Sequence, residues 1–165
     1  MKTFRIETIV TEYSGPEEMP EMERTLLEKA REVSKSAYAP YSEFQVGAAL
    51  LLENGVVVTG NNQENVAYPS GLCAERVAIY AAGANYPDVP VKAIAVSCRS
   101  ERFPVHAPLS PCGACRQAMS EYEQRWEKPI QVILGGEKGP VHVIGSVKEL
   151  LPLVFEAKEL KRKKG

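Results

Sequence analysis

The chain has 165 residues, 44% of them hydrophobic, and its 20 basic and 21 acidic side chains leave a formal net charge of −1. That length supports one packed domain and gives no ground for two. The balanced charge supplies no broad basic field for holding nucleic acid phosphates, and no apolar run reaches membrane length, so a small molecule is the partner that fits. The start, Met1 to Glu7, meets charge at once instead of an apolar signal core, which predicts a cytoplasmic protein.

Phe4, Ile6, Thr8 and Val10 alternate with mostly polar neighbours and predict an N-terminal strand, soon interrupted by Gly15 and Pro16. From about Pro20 to Ala37, Met22, Leu26, Leu27, Ala30 and Val33 recur at helical spacing among charges, an amphipathic helix that Pro40 ends. Phe44 to Leu52 and Val56 to Thr59 read as two strands of a hairpin turning at Asn54-Gly55. After a loop from Asn61 to Leu72, an alanine-rich helix runs from about Cys73 to Ala84 and stops at Asn85-Tyr86-Pro87. Val91 to Cys98 is an apolar strand, Arg99 to Pro111 a long loop, and about Cys112 to Arg125 a further helix. Ile130 to Leu134 and Val141 to Ile144 are strands around Gly135-Gly136, and Ser146-Val147-Lys148-Glu149 reads as a capping box opening a short helix. The basic run Lys161 to Lys164 reads as a solvated end. The alternation of strands and helices predicts an α/β layer structure, one sheet with helices on its faces.

Four cysteines in a chain of this length do not make a disulfide framework, and close Cys-x-x-Cys spacing in a reducing compartment points to metal or redox chemistry. Cys112 and Cys115 lie three apart at a helix start, so their sulfurs face the same way, and the helix dipole favours their thiolate forms. Cys73 opens another helix, with Glu75 two residues on. Three thiolates leave the fourth position of a tetrahedral zinc ion to water, which the metal acidifies, and Glu75 would handle that water's protons. The remaining negative charge calls for a cation beside the sulfurs, and Arg76 fits that place. Against this stand a redox pair or a closed structural zinc site with Cys98 or His106 as fourth ligand. Cys98 in an apolar strand reads as a buried thiol and His106 as a surface residue.

These motifs resemble those of the small cytidine deaminases that act on free nucleosides. Ala37 to Ser42 with Phe44 to Leu50, Gly60 to Pro69 running into Cys73-Ala74-Glu75-Arg76, Ser110 to Gln117, and Glu149 to Pro152 carry the resemblance over about Leu26 to Phe155. It implies a cytidine-deaminase-like three-layer α/β/α fold with a mixed five-stranded sheet. A deaminase domain would cover 20–155, between an N-terminal extension, 1–19, and a basic tail, 156–165. The resemblance further implies one zinc ion per subunit on Cys73, Cys112 and Cys115, with Glu75 shuttling protons while activated water displaces ammonia at C4 of cytosine. Asn62 and Glu64 would hold the sugar 3′-hydroxyl, Phe44 would pack against the pyrimidine, and Ala74 would complete the substrate contacts. A homotetramer is implied, with Phe155 closing a neighbour's site. The expected activity is conversion of cytidine and 2′-deoxycytidine to uridine and 2′-deoxyuridine, in pyrimidine salvage. The alternatives are a deaminase of a modified cytosine nucleoside of the blasticidin S type and a non-catalytic zinc module. The sequence departs from the family pattern in its N-terminal segment, its extended Arg99 to Pro108 loop and its basic tail.

Overall fold

Side-chain alternation along the central strands decides the layering. In the computed structural model, which describes residues 1–156 and 160, Phe44–Leu52 form strand β2. Its Ala48, Leu50 and Leu52 join one apolar cluster, while Ala49 joins another on the opposite face. Val91–Ser100 (β4) and Gln131–Gly135 (β5) repeat the pattern: Ile94, Val96, Val132 and Leu134 face one way, and Ala93, Ala95 and Ile133 the other. A sheet apolar on both faces needs cover on both. Helix α1 (Glu21–Ser34) covers the alanine-rich face with Leu26, Leu27 and Ala30. Helices α2 (Ala74–Asn85) and α3 (Gly113–Trp126) cover the other face, through Ala78, Ile79 and Ala82 and through Cys115 and Met119.

The remaining strands are β1 (Val10–Tyr13), β3 (Val57–Asn61) and β6 (Val141–Ile144), and the sheet order is β1-β6-β5-β4-β2-β3. The pairing of β4 with β5 is parallel and the other ladders are antiparallel. The β2–β3 hairpin turns where expected, with Gly55 at φ 85°, a left-handed conformation that glycine adopts without steric cost. The three layers stand, but the sheet is mixed with six strands, not five.

The sixth strand comes from the N-terminal segment, at a different place from the predicted one. Residues 4–9 alternate in sequence but pair with no strand, whereas Val10–Tyr13 pair along β6, from Val10 with Ile144 to Tyr13 with Val141. An exposed strand forms only where an open sheet edge offers it hydrogen bonds, and β6 is that edge. His142 Nε2 meets Glu12 Oε2 at 2.7 Å across the pair. The predicted capping box is half right. Ser146 Oγ accepts from the Lys148 N–H at 3.1 Å, but Glu149 turns away to accept from the Ile9 N–H at 2.9 Å. The buried Glu123 of α3 takes over, accepting from the N–H groups of Ile130 and Val147 at 2.8 and 2.9 Å and from Ser146 Oγ at 2.6 Å. The basic run 161–164 lies outside the described residues.

Two glycines set how closely the helices approach the sheet. A Cβ on Gly47 would stand 2.0 Å from the Ala30 carbonyl oxygen, and one on Gly60 would stand 2.6 Å from Ala78 N and 2.9 Å from Ala74 O. Gly60 therefore lets the first turn of α2, which follows Cys73, lie directly on β3. Backbone atoms cannot swing aside as a flexible side chain does, so Gly60→Ala should destabilise the fold by about 1–3 kcal/mol. Urea denaturation should show this loss, and metal analysis of the purified variant should show reduced zinc content because the displaced turn carries Cys73.

Candidate metal centre and substrate pocket

Cysteine is a poor helix N-cap, yet it holds that position in both helices that cover this face: Cys73 caps α2 and Cys112 caps α3, neither with a side-chain capping bond. What the two positions achieve is convergence. Cys73 Sγ lies 3.9 Å from Cys112 Sγ, which lies 3.5 Å from Cys115 Sγ, and all three sulfurs fall within 4.8 Å of one another. Zinc–sulfur bonds of about 2.3 Å at tetrahedral angles place sulfurs about 3.8 Å apart, so this donor set fits one zinc ion per subunit. Neither Cys98 nor His106 belongs to the cluster. Cys98 is buried in β4, where burial pushes its thiol up to about 11, the state of an inert core thiol. Three thiol ligands and no fourth protein donor, among the described residues, describe an open site of the catalytic type.

The electrostatics favour the thiolate at Cys73. Hydrogen bonding with Cys115, then with Arg76 and Cys112, holds Cys73 down at about 5 in spite of its partial burial. Cys115 is pushed up by the same contact with Cys73 and by burial. Arg76 Nη2 lies 3.8 Å from Cys73 Sγ, and contact with the sulfurs raises its own guanidinium pKa. The other arginine beside the cluster, Arg116, is occupied elsewhere: its Nε donates to Pro111 O at 2.8 Å and its Nη1 to Leu150 O at 2.6 Å. Glu75 is buried in the first turn of α2, and burial, assisted by the negative charge of Cys73, raises its carboxyl pKa.

A cavity of about 650 Å³ opens beside this cluster, and its lining includes Cys73, Glu75, Arg76 and Cys112 together with Phe44, Asn62 and Glu64. Tyr41, Ser42, Leu109 and Ser110 also line it. The Glu64 carboxylate accepts from the Tyr41 and Ser42 N–H groups, at 2.8 and 3.3 Å, and from Ser42 Oγ. These bonds outweigh desolvation and lower its pKa, and three of its roughly four acceptor positions are filled. Asn62 serves the wall as well as the cavity: its Oδ1 accepts from Val46 N at 2.7 Å and its Nδ2 donates to Phe44 O at 2.9 Å, leaving one amide hydrogen for a ligand.

Two expected site residues stand apart from the cavity lining. Ala74 points into the core, fully buried, and Phe155 is 73% exposed, its carbonyl accepting from Gln117 Nε2 at 3.1 Å. Tyr41 and Ser42, which hold Glu64, went unassigned in the sequence reading, because 22 or 23 residues separate them from the carboxylate and no local spacing marks the contact.

Comparison with known proteins agrees with this geometry. The family model of the cytidine and deoxycytidylate deaminase zinc-binding region matches residues 20–127. The chain belongs to this family. A cytidine deaminase of Halalkalibacterium halodurans is 42% identical over 135 residues, 82% of this chain and 95% of the relative. The cytidine deaminase of Burkholderia pseudomallei superposes with a TM-score of 0.70 at 41% identity, covering 83% of this chain and all of that one. That of Mycobacterium tuberculosis superposes at 0.62 and 30% identity, covering 81% and 96%. As a member of the family, the protein is a zinc-binding hydrolytic deaminase. No described helix is long and apolar enough to cross a membrane.

The guanidinium of Arg76 stands 3.8 Å from the Cys73 sulfur as a donor, not as a metal ligand. Arg76→Gln should therefore keep about one zinc per chain by metal analysis while kcat falls by roughly tenfold or more. Full turnover in that variant would remove the arginine from the site's electrostatics.

Proposed function

We propose that the protein hydrolyses the exocyclic amine of free cytidine and 2′-deoxycytidine, giving uridine and 2′-deoxyuridine, as a step of pyrimidine salvage. The observation that carries this reading is the joint placement of Glu75, Glu64 and two thiols of the three-cysteine cluster in the lining of one cavity. Cys73, Cys112 and Cys115 would hold the zinc ion, which supplies an acidified water when bound. Glu75, beside them in the first turn of α2, would carry one proton of that water to N3 of the base, where the product keeps it, and the second, from the new C4 hydroxyl, to the amine that departs as ammonia. Arg76 would moderate the sulfur charge. Phe44 would lie against the pyrimidine, and the first turn of α2 at Ala74 would present backbone instead of side chain to the base.

The sugar end gives the substrate class. Glu64 keeps one acceptor position free, suited to a 3′-hydroxyl donor, and Asn62 keeps one amide hydrogen. A carboxylate held ionised at that point repels a 3′-phosphate, which argues against polynucleotides and 3′-nucleotides. A contact to the 3′-hydroxyl does not sense the 2′ position, so ribose and deoxyribose both fit. This polar pair favours a plain nucleoside over a modified one of the blasticidin S type, and an open three-thiol cluster disfavours a purely structural zinc module.

Absorbance-monitored deamination of cytidine, deoxycytidine and cytidine 3′-phosphate tests the reading. Both nucleosides should be turned over and the 3′-phosphate refused. Glu75→Gln should retain zinc and lose at least about a hundredfold in kcat. Efficient use of the 3′-phosphate would overturn the role given to Glu64, and undiminished activity of the Glu75 variant would overturn the mechanism.

The deaminase unit is placed at 20–155, with 1–19 as an extension that contributes β1 and the buried Met19. A homotetramer accords with the exposed apolar side chains of Tyr41, Tyr68 and Leu72 in the cavity lining and with the exposed Phe155, available to close a neighbouring subunit's pocket. Light scattering should give four subunits, and Phe155→Ala should raise KM; a fully active monomer would contradict the arrangement.

A further inference from the structure

The segment that follows β4 is longer than the family pattern calls for, and both its ends are fastened. At one end the Arg102 N–H donates to Ser100 Oγ at 3.2 Å, and Ser100 is the β4 residue that pairs with Phe44. At the other, Val105 N donates to Glu137 Oε2 at 3.2 Å and Val105 O accepts from Glu137 N at 2.9 Å. The absence of a side chain at Gly136 permits this second attachment, since a Cβ there would stand 2.5 Å from Val105 O. Between the two fastenings, Phe103 stacks on Phe44 with ring centroids 6.3 Å apart and planes inclined by 28°, within the range of a favourable offset pair. The preceding residues meet as well, Arg102 Nε lying 3.6 Å from Glu43 Oε2. Phe44 lines the cavity; Phe103 is not among the lining residues and is about half exposed.

We propose that Phe103 is a positioning residue for the cytosine base, acting through the ring of Phe44, which it holds in place as the wall against which the base packs. A lone phenylalanine at the start of a strand, only partly buried beside an open cavity, has freedom to rotate that a stacked partner removes. The face of the base stays packed on the wall while C4 alone turns tetrahedral, so fixing the wall strengthens binding of substrate and transition state to a similar degree and appears in KM, not in kcat. This inference rests on the reading of the cavity as a cytidine site.

The test is steady-state kinetics on zinc-loaded Phe103→Ala, Phe103→Tyr, Phe44→Leu and the Phe44→Leu/Phe103→Ala double variant, with cytidine as substrate. Phe103→Ala should raise KM by about 3- to 10-fold, the value of one aromatic pair, with kcat within about twofold of the parent. Phe103→Tyr, which keeps the ring, should restore the parental KM. In the Phe44→Leu background the alanine substitution should add nothing further, since its effect passes through the lost ring. An unchanged KM in Phe103→Ala, an equal rise in the Phe44→Leu background, or a fall in kcat at constant KM would each overturn the proposal. Those results, obtained with a parent that deaminates cytidine, count against the ring pair alone; a parent inactive on cytidine counts against the functional reading, and the ring pair's role goes with it.

Discussion

Everything at the site depends on two helix N-termini meeting at one point on the same face of a sheet. Thiols from α2 and from α3 must come within about 4 Å of each other, although 39 residues separate Cys73 from Cys112. Neither helix achieves this alone. Glycine at position 60 lets α2 settle onto β3, and α3 follows β4 and leads into the parallel strand β5, packing through Met119 on the same apolar cluster. The metal-binding geometry is thus a property of helix–sheet spacing, and the ion joins elements that the core has already brought close.

The site also shows local propensity giving way to chemistry. At both N-caps a residue that could accept a hydrogen bond from the helix start is replaced by cysteine, so each helix begins with less support than its length warrants. A helix start in general carries partial positive charge from its unpaired N–H groups, a setting that favours a neighbouring anion. Burial around Glu75 works in the opposite direction, keeping its carboxyl easier to protonate than an exposed one.

Much of this was legible in the residues themselves. The Cys-x-x-Cys spacing predicted sulfurs on one side of a helix start, and the Asn54-Gly55 turn, the two apolar strands beside it and the limits of β6 follow from local pattern. Non-local pairing was not legible. The alternation from Phe4 to Val10 matches a strand as well as the segment that forms one, but the free edge of β6 admits Val10–Tyr13, and this sixth strand changes the sheet. Glu149 has the sequence position of a capping-box acid and binds Ile9 instead, while Glu123, which satisfies the segment after β6, carries no signal because its partners lie 7 to 25 residues away. Asn62 was read as a ligand contact, and its amide also ties together the wall on which Phe44 sits.

The fastening of α3 by later residues has a consequence for how the protein is made. Arg116, one residue after Cys115, donates to Leu150 O, and Glu123 on the same helix is satisfied by the segment 146–148. A nascent chain emerging from the ribosome therefore exposes all three thiols about thirty residues before the groups that lock their helix are available. Until then the helix is held by its packing through Cys115 and Met119 and by the contact of Glu123 with Ile130, and the stretch around Leu150 closes over a helix that already carries two of the three thiols.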